Sequence, residues 1–149
     1  MIKPSQELER VAKENKISIE KLDLDLQTRL MNSLLRKYSK SNDKNLILWD
    51  NLIESIGYHS EHAWQWTNAF TKNKPIILFF PFHLNEPAYL IRDSGDLITL
   101  IAEMPLFVYY ITDDSTSWMI CYTDHDVLLG VGDAMHWVDS LRGDDNLKN

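Results

Sequence analysis

Leu106-Phe107-Val108-Tyr109-Tyr110-Ile111-Thr112, Ser117-Trp118-Met119-Ile120-Cys121-Tyr122-Thr123 and Val127-Leu128-Leu129-Gly130-Val131 are three β-rich runs in close succession. Asp113-Asp114-Ser115-Thr116 and Asp124-His125-Asp126 separate them, and such residues favour turns because their side chains bond nearby backbone N–H groups. The pattern predicts an antiparallel meander. Upstream, Ile76-Ile77-Leu78-Phe79-Phe80 reads as a buried strand ended by Pro81, since proline cannot donate to a sheet ladder. Between that strand and the meander, Ser94-Gly95-Asp96 caps a predicted helix with Leu97, Ile98, Ile101 and Met104 on one face and Pro105 just beyond. After the meander, Asp133 is expected to cap a last helix through Ala134, Trp137, Val138 and Leu141, stopped at Gly143.

The chain before residue 73 has a helical period. Pro4 and Ser5 open a short amphipathic stretch through Leu8, Val11 and Ala12. A longer stripe runs through Leu26, Leu30, Leu34 and Tyr38, widened by Met31 and Leu35 and stopped by Ser41-Asn42-Asp43. Trp49, Leu52, Ile53 and Ile56 fit one face of a third helix ending at Gly57. Ser60 is placed to cap a fourth, with Ala63, Trp66 and Phe70 facing the core. The expected fold is therefore α+β: N-terminal helices packed on a mainly antiparallel sheet of about four strands, with one inserted and one C-terminal helix. A single domain over 1–149 is expected, with a mainly helical half over 1–72, a sheet-containing half over 73–142 and a frayed tail over 143–149.

Composition narrows the function classes. Of 149 residues, 44% are hydrophobic and 11% aromatic, enough for a core. No apolar run approaches the ~20 residues of a membrane helix, and the polar start Met1-Ile2-Lys3-Pro4-Ser5-Gln6-Glu7 does not resemble a signal peptide, so a cytoplasmic location and no membrane partner are expected. Cys121 is the single cysteine, which excludes an internal disulfide and fits a reducing compartment. The net charge is −7 and unevenly placed: residues 1–75 hold 12 Lys/Arg against 10 Asp/Glu, whereas residues 76–149 hold 3 against 12. Between Arg92 and Arg142 there is no Lys or Arg, yet nine acids, Asp113, Asp114, Asp124 and Asp126 among them, fall there. A negative potential of this kind repels nucleic acid and draws a basic partner at a raised association rate. Acids also simply keep small proteins soluble.

Candidate chemistry is sparse. Asp124-His125-Asp126 is the densest titratable cluster: a histidine between carboxylates suits a general base, but a predicted hairpin turn suits a partner-binding or turn-forming role. His59 and His62, with Glu61, have the spacing of a two-histidine metal clamp, yet no third ligand is near, so no metal site is predicted. Gly130-Val131-Gly132 precedes a helix as a phosphate-binding turn does, but Asp133 follows where such a turn needs a third glycine, Lys or Ser/Thr, so a tight strand-to-helix turn is expected and no cofactor. Cys121 lies inside a strand run without a positive neighbour, as a buried thiol does. Among the five tryptophans, Trp64 lies off the Ala63, Trp66, Phe70 face, which suits either an exposed anchor for another molecule or a second buried face of the helix.

The stretch Tyr109-Tyr110-Ile111-Thr112, Trp118-Met119-Ile120-Cys121, His125-Asp126, Gly132-Asp133-Ala134 and Trp137 resembles the C-terminal part of small bacterial proteins, several of them encoded among toxin and immunity genes. The resemblance covers roughly residues 76–141 and supplies no catalytic residues. It implies an immunity-type binding protein. With the charge pattern, the expectation is a non-enzymatic toxin inhibitor that presents Asp113, Asp114, Asp124, His125, Asp126 and Trp64 to a cognate toxin domain with a basic surface, a nuclease in particular. The alternatives are a small hydrolase using His125 with Asp124 or Asp126, and a ligand-binding domain; the oligomeric state is left open.

Overall fold

Alternate side chains of a strand point to opposite faces of its sheet, so a strand that is apolar at every position must be covered on both sides. The computed structural model, which describes residues 3–105 and 107–143, has this arrangement. Seven strands form one antiparallel sheet in the order β1-β4-β3-β5-β6-β7-β2. They are β1 (Glu20–Lys21), β2 (Ile56–His59), β3 (Ile76–Phe79), β4 (Tyr89–Ile91), β5 (Tyr109–Thr112), β6 (Trp118–Tyr122) and β7 (Val127–Gly132). Every residue of β3, β5 and β6 is buried.

The helices supply the two outer layers. One face of the sheet, with Leu78, Phe80, Tyr109, Ile111, Ile120, Tyr122 and Leu128, packs on α1 (Pro4–Glu14) through Leu8 and Val11, on α4 (Asp96–Ala102) through Leu97 and Leu100, and on α5 (Met135–Ser140) through Trp137 and Val138. The opposite face, with Ile77, Phe79, Tyr110, Met119, Cys121 and Val131, packs on α2 (Leu24–Tyr38) through Leu30, Leu34 and Leu35, and on Leu48 and Leu52. α1 starts on Pro4, whose fixed φ suits a first helical position, and α2 on Asp23, whose Oδ1 accepts from the Leu26 N–H at 2.8 Å.

The α+β class is as expected; the strand number is not. Seven strands replace about four, and the three extra ones, β1, β2 and β4, are short and lie towards the rim of the sheet. β1 is two exposed residues and β4 is three residues, too short to carry a side-chain period. β2 overturns the expected third helix: Leu48–Asp50 forms one 3-10 turn, Ile53 is exposed, and Ile56 and Gly57 are already paired with Gly130 and Leu129. Gly57 is thus a strand residue and not a helix stop, and its carbonyl accepts from Arg142 Nη2 at 2.8 Å, which ties the C-terminal helix to this edge. The expected fourth helix is broken into a 3-10 turn, Ala63–Trp66, and a single α-turn, α3 (Asn68–Thr71). Neither Ser94 nor Asp133 caps with its side chain: the helices follow Gly95 and Ala134 with no side-chain cap. Leu106, expected to open β5, and the polar tail from residue 144 lie outside the described residues.

The two hairpins decide where the acidic turns sit. β5 and β6 join through residues 113–117, β6 and β7 through residues 123–126, and antiparallel strands place successive turns at opposite ends of the sheet. The five residues of β6 separate them by about 17 Å.

Candidate functional site

The turn between β5 and β6 is built for structure. Asp113 Oδ2 accepts from the Trp118 indole N–H at 3.0 Å, while Oδ1 accepts from the Ser115 backbone N–H at 3.0 Å. Thr116 has a φ of +52°, held by α2: Lys37 Nζ donates to Thr116 Oγ1 at 2.7 Å and the Tyr38 hydroxyl to the Thr116 carbonyl at 2.7 Å. Asp114 shares a shallow pocket with Arg29, and Asp113 lines a groove together with Lys72 and Lys74. The basic residues of the first half of the chain thus come to lie beside these acids, and the negative potential expected at this end is partly offset.

The other end of the sheet has the opposite character. A cavity of about 270 Å³ opens where Ser60, Glu61 and the 3-10 turn Ala63–Trp66 cross the ends of β5 and β6. Glu61, Trp64, Phe80, Phe107, Tyr109, Tyr122 and Asp126 line it, with Ile101, Ala102, Met104 and Pro105 from α4 and its exit as the far wall. No Lys or Arg is among the described residues that line it.

Each polar group here has a traceable position. Tyr109 and Tyr122 are cross-strand partners whose rings lie 6.1 Å apart. The Tyr122 hydroxyl is 2.8 Å from the Ser60 carbonyl and 3.1 Å from Asp126 Oδ1, and the Ser60 N–H donates to the Asp126 carbonyl at 2.9 Å. Asp126 adopts a φ of +58°, a left-handed conformation that Asp tolerates better than most side chains. It is half-buried; Glu61 is exposed. The Trp64 indole N–H donates to the Glu61 carbonyl at 3.0 Å. Tyr109 is 2% exposed, and its hydroxyl has no hydrogen-bond partner among the described residues. Burial pushes both tyrosines well above the ordinary 10.0, helped at Tyr122 by the hydrogen bond to Asp126 and at Tyr109 by its neighbour Tyr122, so both stay neutral hydroxyls.

The six residues singled out from sequence therefore divide into groups. Trp64 and Asp126 meet at the cavity. Asp124 and His125 lie on the same turn but outside that lining. His125 is exposed, with Nε2 3.7 Å from Asp124 Oδ1 and its ring edge-on to Trp49 at 6.1 Å. Asp126 turns to Tyr122 instead, so the structure does not assemble His125 and Asp126 as an acid–base pair. Asp113 and Asp114 stand at the far end of β6. Glu61, Tyr109 and Tyr122 complete the cavity and were not among the six; the signal available for the tyrosines was that cross-strand pairing sets them on the same face as one another.

The remaining motifs resolve into packing. A Cβ on Gly130 would meet Val138 Cγ2 at 2.7 Å, and Gly132 has a φ of +60° with space for a Cβ filled by the Ser117 carbonyl oxygen at 2.3 Å. Cys121 is buried against Tyr110, and burial pushes its thiol well above the ordinary 9.0. Among the described residues no group of three or more His, Cys, Asp or Glu side chains is placed to hold a metal ion, and no helix is long and apolar enough to cross a membrane. Comparison of the chain with protein-family models, with curated proteins and with solved structures finds no match.

Proposed function

We propose that this chain is a small binding protein of the immunity type, which neutralises a cognate bacterial toxin in the cytoplasm by direct contact with a basic surface of the toxin. The observation that carries the proposal is the cavity at the Asp126 end of the sheet: two carboxylates and an aromatic wall, with no Lys or Arg among the described residues that line it. Aromatic side chains supply contact area at low entropic cost, and carboxylates supply charge steering, the two requirements of a fast and specific interface. A nuclease fits as the toxin class, because sites that hold phosphates are lined with Lys and Arg.

The contact is placed on Glu61, Trp64 and Asp126 with Asp124 and His125 at its rim. Asp113 and Asp114 are left out of it, because their end of the sheet carries its own cations. The test is capture of the partner from the native cell, followed by binding to the purified partner at two salt concentrations. Affinity should fall with salt. Glu61→Gln should act mainly on the association rate, because the carboxylate is exposed, and Asp126→Asn mainly on dissociation. An affinity that is independent of salt and unchanged in the Glu61→Gln/Asp126→Asn double variant would overturn the proposal.

A further inference from the structure

Counting donors and acceptors at the cavity identifies what would fill it. Two of the donors in its wall are engaged: the Trp64 indole N–H goes to the Glu61 carbonyl, and the Tyr122 hydroxyl lies against the Ser60 carbonyl and Asp126, which leaves the Tyr109 O–H as the one open donor among the described lining residues. The acceptors are in surplus. The Glu61 and Asp126 carboxylates have lone pairs to spare, and the Tyr109 oxygen, in a residue 2% exposed, has no partner among the described residues. A buried hydroxyl without a partner is costly, and its persistence in a cavity wall points to a partner that arrives from outside. Two carboxylates with lone pairs to spare outweigh that one open donor, so the complement is a donor group that carries positive charge.

Two side chains meet that description, the ammonium of lysine and the guanidinium of arginine. The aromatic rings around the cavity, Trp64, Phe80, Phe107, Tyr109 and Tyr122, select between them. A guanidinium is planar, stacks on aromatic faces, gives up its water more readily than an ammonium and spreads five donors over several acceptors. The volume of about 270 Å³ lies below the ~300–1,000 Å³ of sites for small-molecule ligands and suits one side chain.

We propose that the cavity seats one arginine side chain of the partner protein, its guanidinium between the aromatic rings and donating to Asp126, Glu61 and the Tyr109 hydroxyl oxygen. This rests on the reading of the chain as a partner-binding protein, and it adds the identity of the anchor that the partner must present. Arginine is one of the residues enriched at interface hot spots, where it seats in a pocket of the partner.

The experiment titrates the full chain with Nα-acetyl-arginine N-methylamide, followed by the indole N–H resonance of Trp64. The citrulline analogue, the same shape without the charge, and the lysine analogue serve as comparisons. Saturable binding of the arginine probe is expected, with the lysine probe weaker and the citrulline probe not saturating. Tyr109→Phe should weaken the arginine probe about tenfold, the loss of one hydrogen bond to a charged group. Glu61→Gln/Asp126→Asn should weaken it further, with unchanged melting behaviour showing that the fold is kept. Equal binding of arginine and citrulline probes, equal binding of arginine and lysine probes, or no saturation by any of them would overturn the arginine assignment. If the arginine probe fails while the captured partner still depends on Glu61 and Asp126, the anchor is wrong and the binding role stands. If the probe binds and the partner ignores both substitutions, the binding role at this cavity is wrong.

Discussion

Tyr109→Phe should make the unliganded protein more stable, an unusual outcome for a substitution in a sheet core. The side chain is 2% exposed and its hydroxyl has no partner among the described residues, whereas its ring packs 6.1 Å from that of Tyr122. Phenylalanine keeps the ring and removes the stranded group. Mutational data put a buried hydroxyl without a hydrogen bond at a penalty of about 1–3 kcal/mol, so the variant should gain on that order, less the few dispersion contacts of the lost oxygen. For a chain of this length about 2–4 °C of melting temperature corresponds to 1 kcal/mol, which sets the expected rise at several degrees. Tyr122→Phe is the control. It removes a hydroxyl placed 2.8 Å from the Ser60 carbonyl and 3.1 Å from Asp126, and should lose about 1–2 kcal/mol. Both would be measured by thermal and urea denaturation at neutral pH without ligand. A Tyr109→Phe protein that melts below the parent would show the hydroxyl to be already satisfied in solution, and the cavity would then lack the open acceptor assigned to it. Opposite signs for the two tyrosines are the signature of a site that gives up stability for binding.

Three further outcomes follow from the geometry. Gly132→Ala puts a Cβ at a φ of +60° and 2.3 Å from the Ser117 carbonyl oxygen, so it should lower the urea midpoint by the equivalent of about 2 kcal/mol or more; a change within error would mean that the turn into α5 relaxes freely. Tyr109 and Tyr110 are raised by burial above the 10.0 of the unfolded chain, so above pH 10 the folded state holds protons that the unfolded state has released. Their stabilisation is complete below that pH and is lost at about 1.4 kcal/mol per pH unit for each tyrosine as pH climbs from there; urea midpoints that stay flat to strongly alkaline pH would contradict it. Lys37→Met removes the ammonium that bonds Thr116 Oγ1 at 2.7 Å while keeping the aliphatic stem, so it should cost about 1 kcal/mol in denaturation and leave partner affinity unchanged, because it supports the turn away from the cavity.

Periodicity revealed the interior of the sheet and four of the five α-helices among the described residues, and failed at the edges. β3, β5 and β6 are apolar runs buried at every position, a composition that only a strand covered on both sides needs, and β7 is an apolar run that alternates between buried and half-buried positions. β1 and β4, with two and three residues, carry no period at all, and their strand character comes from the neighbour they pair with. Trp49, Leu52, Ile53 and Ile56 match helical spacing by coincidence, since a 3-10 turn and an edge strand serve different contacts with the same residues. At the site, Asp126 and Trp64 stood out as a charge in a turn and an aromatic off the core face. Tyr109 and Tyr122 did not, because in sequence they match any other buried aromatic of the meander. That the two acidic turns lie at opposite ends follows from hairpin geometry alone. That Lys37, Arg29, Lys72 and Lys74 come to lie beside only one of them depends on contacts such as Lys37 to Thr116, across 79 positions, which no local pattern encodes.

The most direct test of the account compares two double variants for association with the purified partner across ionic strength: Glu61→Gln/Asp126→Asn at the cavity and Asp113→Asn/Asp114→Asn at the far turn. Both remove two negative charges, so a difference between them reports position and not net charge. The account predicts that the cavity variant slows association, speeds dissociation and flattens the salt dependence, while the far-turn variant keeps the parent rates. Loss of binding in the far-turn variant with parent rates in the cavity variant would contradict it.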